Sequence, residues 1–388
     1  MKVLFTTNIP APYRIDFFNE LSNYCDLTVV VERKSARNRK EEWTKYKDVM
    51  FNITEMKGLN VGKEASFCPQ IIQYIKKNKF DIIVVGGYST PTGMLLIDYL
   101  KRHNIKFILN VDGGMKKETE NKIIYNIKKY FISKATYYLS SGKTTDEYLK
   151  YYGANEKEIN RYYLTSLREK DILKTCIAKE ERKAIKEKLG IKKEYIVLGV
   201  GSFEHRKGFD ELIKATQEID KRAEVIIVGG TPTKEYLTLI NEFKIENIKF
   251  IDFLSKAKLE EYYKIADVFV LPTRYDVWGL VINEAMAKGT PIVTTNKCVA
   301  GLELIENEKN GFIININEHI ELAKRTNQIL ENSNLQQEMR KNNLKKINKY
   351  TIENMAKQHY DIFEKILKKE NKNGNNLCID SDVKKINE

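Results

Sequence analysis

Two tandem α/β domains, each built on a mostly parallel sheet, form the fold class that the sequence predicts. The chain of 388 residues is too long for one comfortable hydrophobic core and suits two domains. Short β-branched runs alternate with longer helical stretches, as in a parallel sheet with crossover helices. The alternation stops over a Lys- and Glu-rich segment, residues 169–193, and then restarts. We therefore expect two Rossmann-like, doubly wound domains that face each other across a cleft.

The first half carries near-continuous apolar runs, which are typical of strands buried on both faces. The clearest predicted strands are residues 3–6, 27–31, 81–85, 106–110 and 136–139. Amphipathic stretches at residues 13–22 and 94–102 predict crossover helices.

The second half repeats this pattern. Its predicted strands are residues 195–199, 225–228, 248–251, 268–270, 291–294 and 311–314. Its predicted helices are residues 208–219, 233–243, 258–265 and 280–288.

These elements define the expected domain boundaries. The first domain is expected to span residues 1–170, a partly helical linker 171–190, and the second domain 191–350. We expect a helix over residues 351–370 to pack back across the domains. The polar, Asn- and Lys-rich tail, residues 371–388, has a composition typical of disorder.

Composition narrows the class of protein. With 42% hydrophobic and 31% charged residues, the chain is ordinary for a globular protein. Its five cysteines are scattered and form no C-x-x-C pair, which argues against a disulfide framework or a zinc ribbon and favours a reducing cytosol. No apolar run approaches the roughly 20 residues needed to cross a bilayer. We therefore expect a cytoplasmic protein.

The net charge of +13 is concentrated in the first half of the chain. Residues 1–170 carry 29 Lys and Arg against 19 Asp and Glu, which gives +10. Such an excess fits nucleic acid, an anionic membrane surface, an anionic small ligand, or simply a solvated lysine-rich surface. The chain has no recognised nucleic-acid-binding module, which weakens the first of these.

The first candidate site is the turn that follows the strand at residues 195–199. Glycines at 201 and 208 allow a sharp turn and a close backbone approach, and the helix that follows favours an anion. Arg206 and Lys207 place positive charge where a phosphate would lie. An ordinary βα turn with surface basic residues is the alternative. The turn is not a Walker A loop, and the first βα turn of the chain lacks G-x-G-x-x-G, which lowers the case for a dehydrogenase.

The second candidate site joins a buried strand to a helix near Gly279. Asp276 precedes this helix and Glu284 follows eight residues later, so both carboxylates can face one ligand. Backbone amides at Gly279, Leu280 and Val281 could hold a diphosphate. The structural alternative makes Asp276 a capping residue and Glu284 a solvated one, although Ala and Met neighbours make that stretch apolar.

These motifs and their order resemble the retaining glycosyltransferases of family four, which have the GT-B fold. The matching segments are residues 201–208, 266–272, 276–289, 299–305 and 310–312. Residues 8–14 and Asp112-Gly113-Gly114 are similar to members from bacterial capsule, exopolysaccharide and lipopolysaccharide assembly.

The resemblance implies roles for individual residues. Lys207 would contact the donor diphosphate and Glu284 the nucleotide ribose. Asp276 stands where the family commonly has a Glu that touches the sugar, and being one methylene shorter it makes that contact less secure. Ser202, next to Gly201, stands where many members have a phosphate-binding Arg, so Arg206 is expected to supply that charge.

The resemblance also implies the reaction. We expect transfer of a sugar from a nucleotide sugar, UDP-linked by family habit, with retention of configuration, to a glycan or lipid-linked glycan. No bound metal and no cofactor are expected, since the donor is a substrate and the positive side chains replace Mg²⁺. A nucleotide-sugar 2-epimerase of the same fold is the nearest alternative, and a nucleic-acid-binding protein a more distant one.

The first domain is expected to receive the acceptor. The candidate acceptor residues Asn8, Tyr13, Arg14 and Asp112 lie at predicted strand ends, with Asp112 the candidate base. Residues 115–134 form an amphipathic, lysine-rich stretch that fits peripheral contact with an anionic membrane. A core-facing helix with solvated lysines is the alternative.

Overall fold

The structure is a computed structural model that describes residues 1–34 and 49–372. The chain divides into two compact units: residues 1–164 together with the chain from Ile352 onward, and Thr165–Thr351. Each unit is an α/β domain with a parallel sheet, so the predicted pair of Rossmann-like domains is confirmed. The sequence placed the boundaries at 170 and 350. The predicted tail, residues 371–388, falls outside the described residues after Lys372.

The first unit has a seven-stranded parallel sheet within the described residues, with strand order β3-β2-β1-β6-β7-β8-β9. Its strands are β1 Lys2–Thr7, β2 Asp26–Val31, β3 Asn52–Glu55, β6 Ile82–Val85, β7 Ile108–Val111, β8 Tyr137–Ser140 and β9 Ile159–Arg161, and a separate antiparallel hairpin pairs β4 Leu59–Val61 with β5 Ala65–Phe67. Its helices are α1 Pro12–Leu21, α2 Gln70–Lys77, α3 Pro91–Arg102, α4 Lys122–Ile132, α5 Lys143–Tyr151 and, from the C-terminal part of the chain, α14 Ile352–Lys372.

The second unit has a six-stranded parallel sheet with order β12-β11-β10-β13-β14-β15. Its strands are β10 Tyr195–Val200, β11 Ala223–Val228, β12 Ile248–Ile251, β13 Val268–Leu271, β14 Ile292–Thr295 and β15 Gly311–Ile314. Its helices are α6 Lys179–Lys188, α7 Phe209–Ala215, α8 Lys234–Glu242, α9 Lys256–Ile265, α10 Leu280–Met286, α11 Val299–Leu304, α12 His319–Glu331 and α13 Ser333–Ile347.

Each sheet is covered by helices on its faces, and this explains its apolar strands. Central strands such as β6 and β13 are buried along their whole length because side chains on both faces lie against helices. In the first unit, α14 packs on α1 through buried apolar residues, with Phe363 among them. The predicted helix at 351–370 therefore belongs structurally to the first unit.

A membrane-spanning helix is not among the described elements. In residues 1–34 and 49–372, no helix combines the length and the hydropathy that crossing a bilayer requires.

Candidate functional site

The turn after β10 requires glycine at position 208, because a side chain there would not fit. Gly208 has φ 69°, and a Cβ there would lie 2.1 Å from the carbonyl oxygen of Pro272. This close approach joins the turn to the loop that follows β13. Two hydrogen bonds to the carbonyl oxygen of Arg206 hold the same junction, from the Arg274 amide at 2.7 Å and the Thr273 hydroxyl at 2.8 Å. The two candidate sites of the sequence are thus parts of one backbone junction.

Lys207 and Asp276 form a buried ion pair at this junction. The Lys207 Nζ donates to Asp276 Oδ2 at 2.6 Å, and only 11% and 9% of the two side chains are exposed. Arg206 is far more exposed and donates to Glu204 at 2.7 Å, while its Nη1 lies 3.9 Å from the same Asp276 oxygen. The buried Asp276 carboxylate therefore lies close to both Arg206 and Lys207, the two cations that the sequence analysis assigned to a phosphate.

The loop that carries Asp276 is held by a clamp that the sequence analysis did not single out. The Arg274 guanidinium donates two hydrogen bonds to Asp210, at 2.7 and 2.6 Å, and a third to the His205 carbonyl at 2.9 Å. Burial opposes ionisation of Asp210, but the Arg274 hydrogen bonds lower its pKa below the ordinary value. Arg274 is an ordinary loop residue three positions after the end of β13, and its distance of 64 residues from Asp210 leaves no local sequence pattern for this clamp.

Gly279 begins α10 in a conformation open to glycine alone. Its φ is 103°, and a Cβ would lie 2.8 Å from the Sγ of Cys298. The indole of Trp278, just before it, donates to Asn283 at 2.9 Å. The first turn of α10, with Leu280 and Val281, is thereby fixed after the Asp276 loop.

Glu284 lies on α10 with partners of its own. It accepts a hydrogen bond from the Ser166 hydroxyl at 3.1 Å and another from the Tyr263 hydroxyl at 2.9 Å. Burial raises the pKa of Glu284, and these two hydrogen bonds partly offset the rise. The carboxylate is thus oriented rather than solvated, against the structural alternative of a freely exposed helix residue. Ser166 and Tyr263 lie far from Glu284 in sequence, and no spacing pattern could have indicated them.

In the first unit, Asp112 follows β7 and is surrounded by donors. Arg14 forms an ion pair with Asp112 Oδ2, while the other oxygen accepts from the Tyr162 hydroxyl at 2.6 Å and from the Asn110 amide at 2.8 Å. Burial alone would lower the pKa of Arg14, but Asp112 reverses this and the net shift is upward. Arg14 also lies over the Tyr13 ring, 5.8 Å from its centroid.

Two further residues of this cluster escaped the sequence analysis. His359 of α14 packs against Tyr162 at a ring distance of 4.5 Å and against Phe17 at 4.7 Å. Its burial lowers the pKa to about 4, so the ring is neutral near pH 7. Of the candidate acceptor residues, Tyr13, Arg14 and Asp112 therefore meet in one cluster. Asn8 lies after β1, where its carbonyl accepts from the Arg33 amide at 3.0 Å.

Metal-binding geometry is not found among the described residues. Across 1–34 and 49–372, no three His, Cys, Asp or Glu side chains come together as a metal site would need.

Comparison with known proteins agrees with this architecture. Residues 181–346 match the family model "Glycosyl transferases group 1". An uncharacterized glycosyltransferase of Methanocaldococcus jannaschii is 30% identical over 192 residues, which are 48% of this chain and 49% of that protein. The alpha-monoglucosyldiacylglycerol synthase of Acholeplasma laidlawii is 31% identical over 209 residues, 52% of each chain. This chain thus spans about half the length of these curated relatives.

A third relative covers more of the chain. An uncharacterized 41.2 kDa protein of the Klebsiella pneumoniae cps region is 25% identical over 279 residues, 66% of this chain and 72% of that protein.

Solved structures extend the likeness over nearly the whole chain. The sucrose-phosphate synthase of Thermosynechococcus elongatus has a TM-score of 0.76 at 16% identity, covering 95% of this chain and all of that one. Anabaena HepE in complex with UDP also has a TM-score of 0.76 at 16% identity, covering 94% and 100%. These likenesses establish the fold, and the family model matches residues 181–346 of the second unit.

Proposed function

We propose that the protein transfers a sugar from a nucleotide sugar to a glycan or lipid-linked glycan, with retention of anomeric configuration. The observation that carries this proposal is the buried Lys207–Asp276 pair at the junction of two βα loops, inside the segment that matches the glycosyltransferase family. A buried cation beside the start of a helix suits a diphosphate ligand. The complex of Anabaena HepE with UDP supports UDP as the nucleotide.

In this reaction the junction would stabilise the leaving group, the nucleoside diphosphate. As the bond between the anomeric carbon and the diphosphate breaks, negative charge grows on the phosphate oxygen and the sugar becomes oxocarbenium-like. The acceptor hydroxyl forms the new bond on the same face, and its proton passes to the departing phosphate. An ammonium has three donors, so Lys207 can contact the diphosphate while it keeps Asp276. Arg206 and the amides of Gly279, Leu280 and Val281 complete the positive surroundings, with no metal required.

Recognition of the donor is assigned to the two carboxylates. Glu284, held by Ser166 and Tyr263, would accept hydrogen bonds from the ribose hydroxyls. Asp276, while it stays paired with Lys207, would face the donor sugar. Gly201 and Ser202 would bring backbone close to the phosphates at the start of the turn. An orientation fixed before binding lowers the entropic cost of holding the nucleotide.

The acceptor is assigned to the first unit, to Asn8, Tyr13, Arg14 and Asp112. Three protein donors already fill the Asp112 carboxylate, so the leaving phosphate is the better-placed base, and Asp112 acts by charge and orientation. The A. laidlawii and K. pneumoniae relatives support a lipid-linked acceptor and a role in surface polysaccharide assembly. Accordingly we place the enzyme in the cytoplasm, peripherally at the inner face of the cell membrane.

The deciding experiment is a thermal-shift screen with UDP, UDP-glucose, UDP-N-acetylglucosamine, ADP-glucose and GDP-mannose. Ligand at 100 times its Kd stabilises the folded state by about 2.7 kcal/mol, so a specific donor raises Tm clearly. Product from the selected donor and a lipid extract is then analysed by NMR for anomeric configuration. Turnover should persist in EDTA.

Other outcomes discriminate the alternatives. Conversion of the donor into its 2-epimer without any acceptor would indicate an epimerase. Activity abolished by EDTA and restored by Mn²⁺ would contradict the metal-free mechanism. An inverted product would contradict retention.

A further inference from the structure

The first unit contains a pocket beside the β4–β5 hairpin, here called the hairpin pocket. Its volume is about 780 Å³, and it is lined by the residues that follow β2 and β3, by the hairpin and by the start of α2. Glu32, the first residue after β2, lines the pocket although it is only 7% exposed. A cavity of this size, with a buried carboxylate among its lining residues, suits a small polar ligand.

Buried hydrogen bonds hold the hairpin against the rest of the unit. The two Glu32 oxygens accept from the Thr90 hydroxyl at 2.6 Å and from the Ser66 amide at 3.0 Å. The Thr92 hydroxyl donates to the Ser66 carbonyl at 2.6 Å and accepts from the Cys68 amide at 2.9 Å. Because Glu32 is fixed by these contacts, the pocket exists before any ligand binds.

The hairpin gives the pocket an apolar side. Leu59 and Phe67 are cross-strand partners, so their side chains share one face of the hairpin. Both line the pocket, and both are exposed, by 74% and 37%. An aromatic ring and an aliphatic side chain suit the C–H face of a sugar ring. The lone pairs of Glu32 that its protein partners do not use suit the hydroxyl groups of the sugar.

The pocket also has positive charge available to a ligand. Arg33, Lys34 and Lys57 line it. Lys34 is already paired with Glu55 at 2.9 Å. The Arg33 guanidinium gives one of its five donors to the Lys63 carbonyl at 3.3 Å, and Lys57 is exposed. Arg33 and Lys57 can therefore bind an anionic group by charge-assisted hydrogen bonds.

We propose that the hairpin pocket binds an anionic sugar residue of the acceptor glycan, a uronate or a phosphorylated sugar. Glu32 accepts hydrogen bonds from its hydroxyls and Phe67 packs on its C–H face. Arg33 and Lys57 bind its negative group. The inference rests on the proposed function for the glycan to which this sugar belongs, and it names the acceptor class as an acidic glycan.

The sheet places the hairpin pocket away from the Asp112 cluster. Glu32 and Asp112 are each the first residue after a strand, β2 and β7, and both strands belong to one parallel sheet. Since β1 and β6 lie between them, three strand spacings of about 4.8 Å separate the two strand ends by roughly 14 Å. This distance exceeds one sugar ring. The anionic sugar would thus be a residue of the acceptor other than the one that reacts.

The test is saturation-transfer-difference NMR of the full chain without nucleotide, with D-glucuronate, D-glucose 6-phosphate and D-glucose as probes. An anionic sugar should bind at least ~10-fold more tightly than glucose, since its charge adds charge-assisted hydrogen bonds. The glucuronate and glucose 6-phosphate arms distinguish a uronate from a phosphate. Inorganic phosphate, added as a competitor, should displace the anionic sugar only at a concentration at least ~10-fold higher, because it lacks the sugar contacts.

Two variants separate the charge from the apolar contact. Arg33→Gln with Lys57→Gln should reduce the affinity for the anionic sugars to that for glucose. Phe67→Ser should weaken the binding of all three sugars by at least ~3-fold. Both variants change side chains at the surface and should keep the parent Tm, whereas a change of Glu32 would release the hairpin.

The matched control is Lys101→Gln with Arg102→Gln, which removes the same number of positive charges from the last turn of α3. That turn lies about 18 Å along the helix from Thr90, the N-cap residue. The control should bind every probe like the parent chain. UDP, titrated separately, should bind the variant with Arg33→Gln and Lys57→Gln as it binds the parent.

Four results would overturn the proposal: equal affinity for glucose and the anionic sugars, binding unchanged by the loss of Arg33 and Lys57, equal loss in the α3 control, or displacement of the sugars by UDP. Binding of the anionic sugars by a chain that transfers no sugar would contradict the proposed function but not the pocket. Sugar transfer by a chain whose hairpin pocket binds neither anionic sugar would contradict the pocket alone.

Discussion

Each unit contains a carboxylate paired with a buried basic side chain, and the two pairs are built differently. In the second unit, Asp276 is paired with Lys207, whose ammonium sits on a flexible stem. In the first unit, Asp112 is paired with the planar guanidinium of Arg14 and accepts two more hydrogen bonds, from Tyr162 and Asn110. Asp276 has one further cation nearby, Arg206 at 3.9 Å, whereas Asp112 is part of a hydrogen-bond network.

The difference indicates what each pair is suited to do. An ammonium can redirect its three donors when an anion arrives, so the Lys207–Asp276 pair can take part in a reaction cycle. A carboxylate held by three donors is fixed in place and is costly to disturb. Substitutions in the second unit should therefore change chemistry and binding most, and those in the first unit should change stability most.

The largest effect is expected for Lys207→Ala. Loss of a preorganised charge at the leaving group lowers kcat/KM by about 10²–10³-fold, or ~3–4 kcal/mol. The measurement is release of UDP from the donor chosen by the thermal-shift screen. Lys288→Ala is the matched control, since Lys288 is also a buried lysine with a carboxylate partner, Glu260 at 2.8 Å. Equal losses in both variants would show that Lys207 acts only through the fold.

Asp112→Asn should reduce the free energy of unfolding by about 3 kcal/mol, because it leaves the Arg14 charge buried without its partner. Denaturant unfolding measures this directly. Glu55→Gln is the control: the Glu55 side chain is 31% exposed, against 24% for Asp112, but its partner Lys34 is 70% exposed. That control should cost less than ~1 kcal/mol. A small change in the free energy of unfolding of Asp112→Asn would contradict the proposed difference between the two units.

His359 should make the first unit sensitive to acid. Its pKa falls from the ordinary 6.5 to about 4 on folding, so the unfolded chain binds the additional proton between these values. Stability is therefore full above pH 6.5 and declines as pH falls towards 4, by about 2 kcal/mol at pH 5.

His359→Gln should remove that part of the slope in urea unfolding between pH 6.5 and 5. His103→Gln is the control, because His103 also contacts a carbonyl four residues earlier, at 2.9 Å, yet is exposed. An unchanged slope in His359→Gln would assign the acid sensitivity to other groups.

The smallest effect is expected for Glu284→Gln. Neutralising a carboxylate that accepts from ribose hydroxyls should weaken UDP affinity about tenfold, or ~1.4 kcal/mol, with Tm nearly unchanged. Isothermal titration measures it. Glu306→Gln serves as the control, because the partners of Glu306 are the exposed Lys309 and the half-buried Lys346 at the surface. Parent-like UDP affinity in Glu284→Gln would remove the ribose assignment.

Local pattern predicted most of the second unit. Its six strands coincide with the predicted ones to within about two residues, since each is a short β-branched run bounded by polar turns. The first unit was harder. Its strand β3, its strand β9 and the β4–β5 hairpin were not predicted, because their alternating or exposed side chains carry a weaker hydrophobic signal.

In the candidate site, too, local sequence features indicated some residues and not others. The sequence pointed to Lys207, Asp276 and Glu284, because glycines and charges at a βα turn are local features. It could not supply the partners Ser166 and Tyr263, which reach Glu284 from distant segments.

By itself, the sequence determined the α/β class, the order of the elements, the glycine turns and the charges available to a phosphate. These follow from local periodicity and backbone conformation, which neighbouring residues fix. Tertiary structure alone decided that Lys207 meets Asp276, that α14 brings His359 to Tyr162, and that α4 turns its isoleucines outward. Such partnerships depend on which strand ends and helix faces the topology brings together, and residues far apart in the chain carry no local record of that choice.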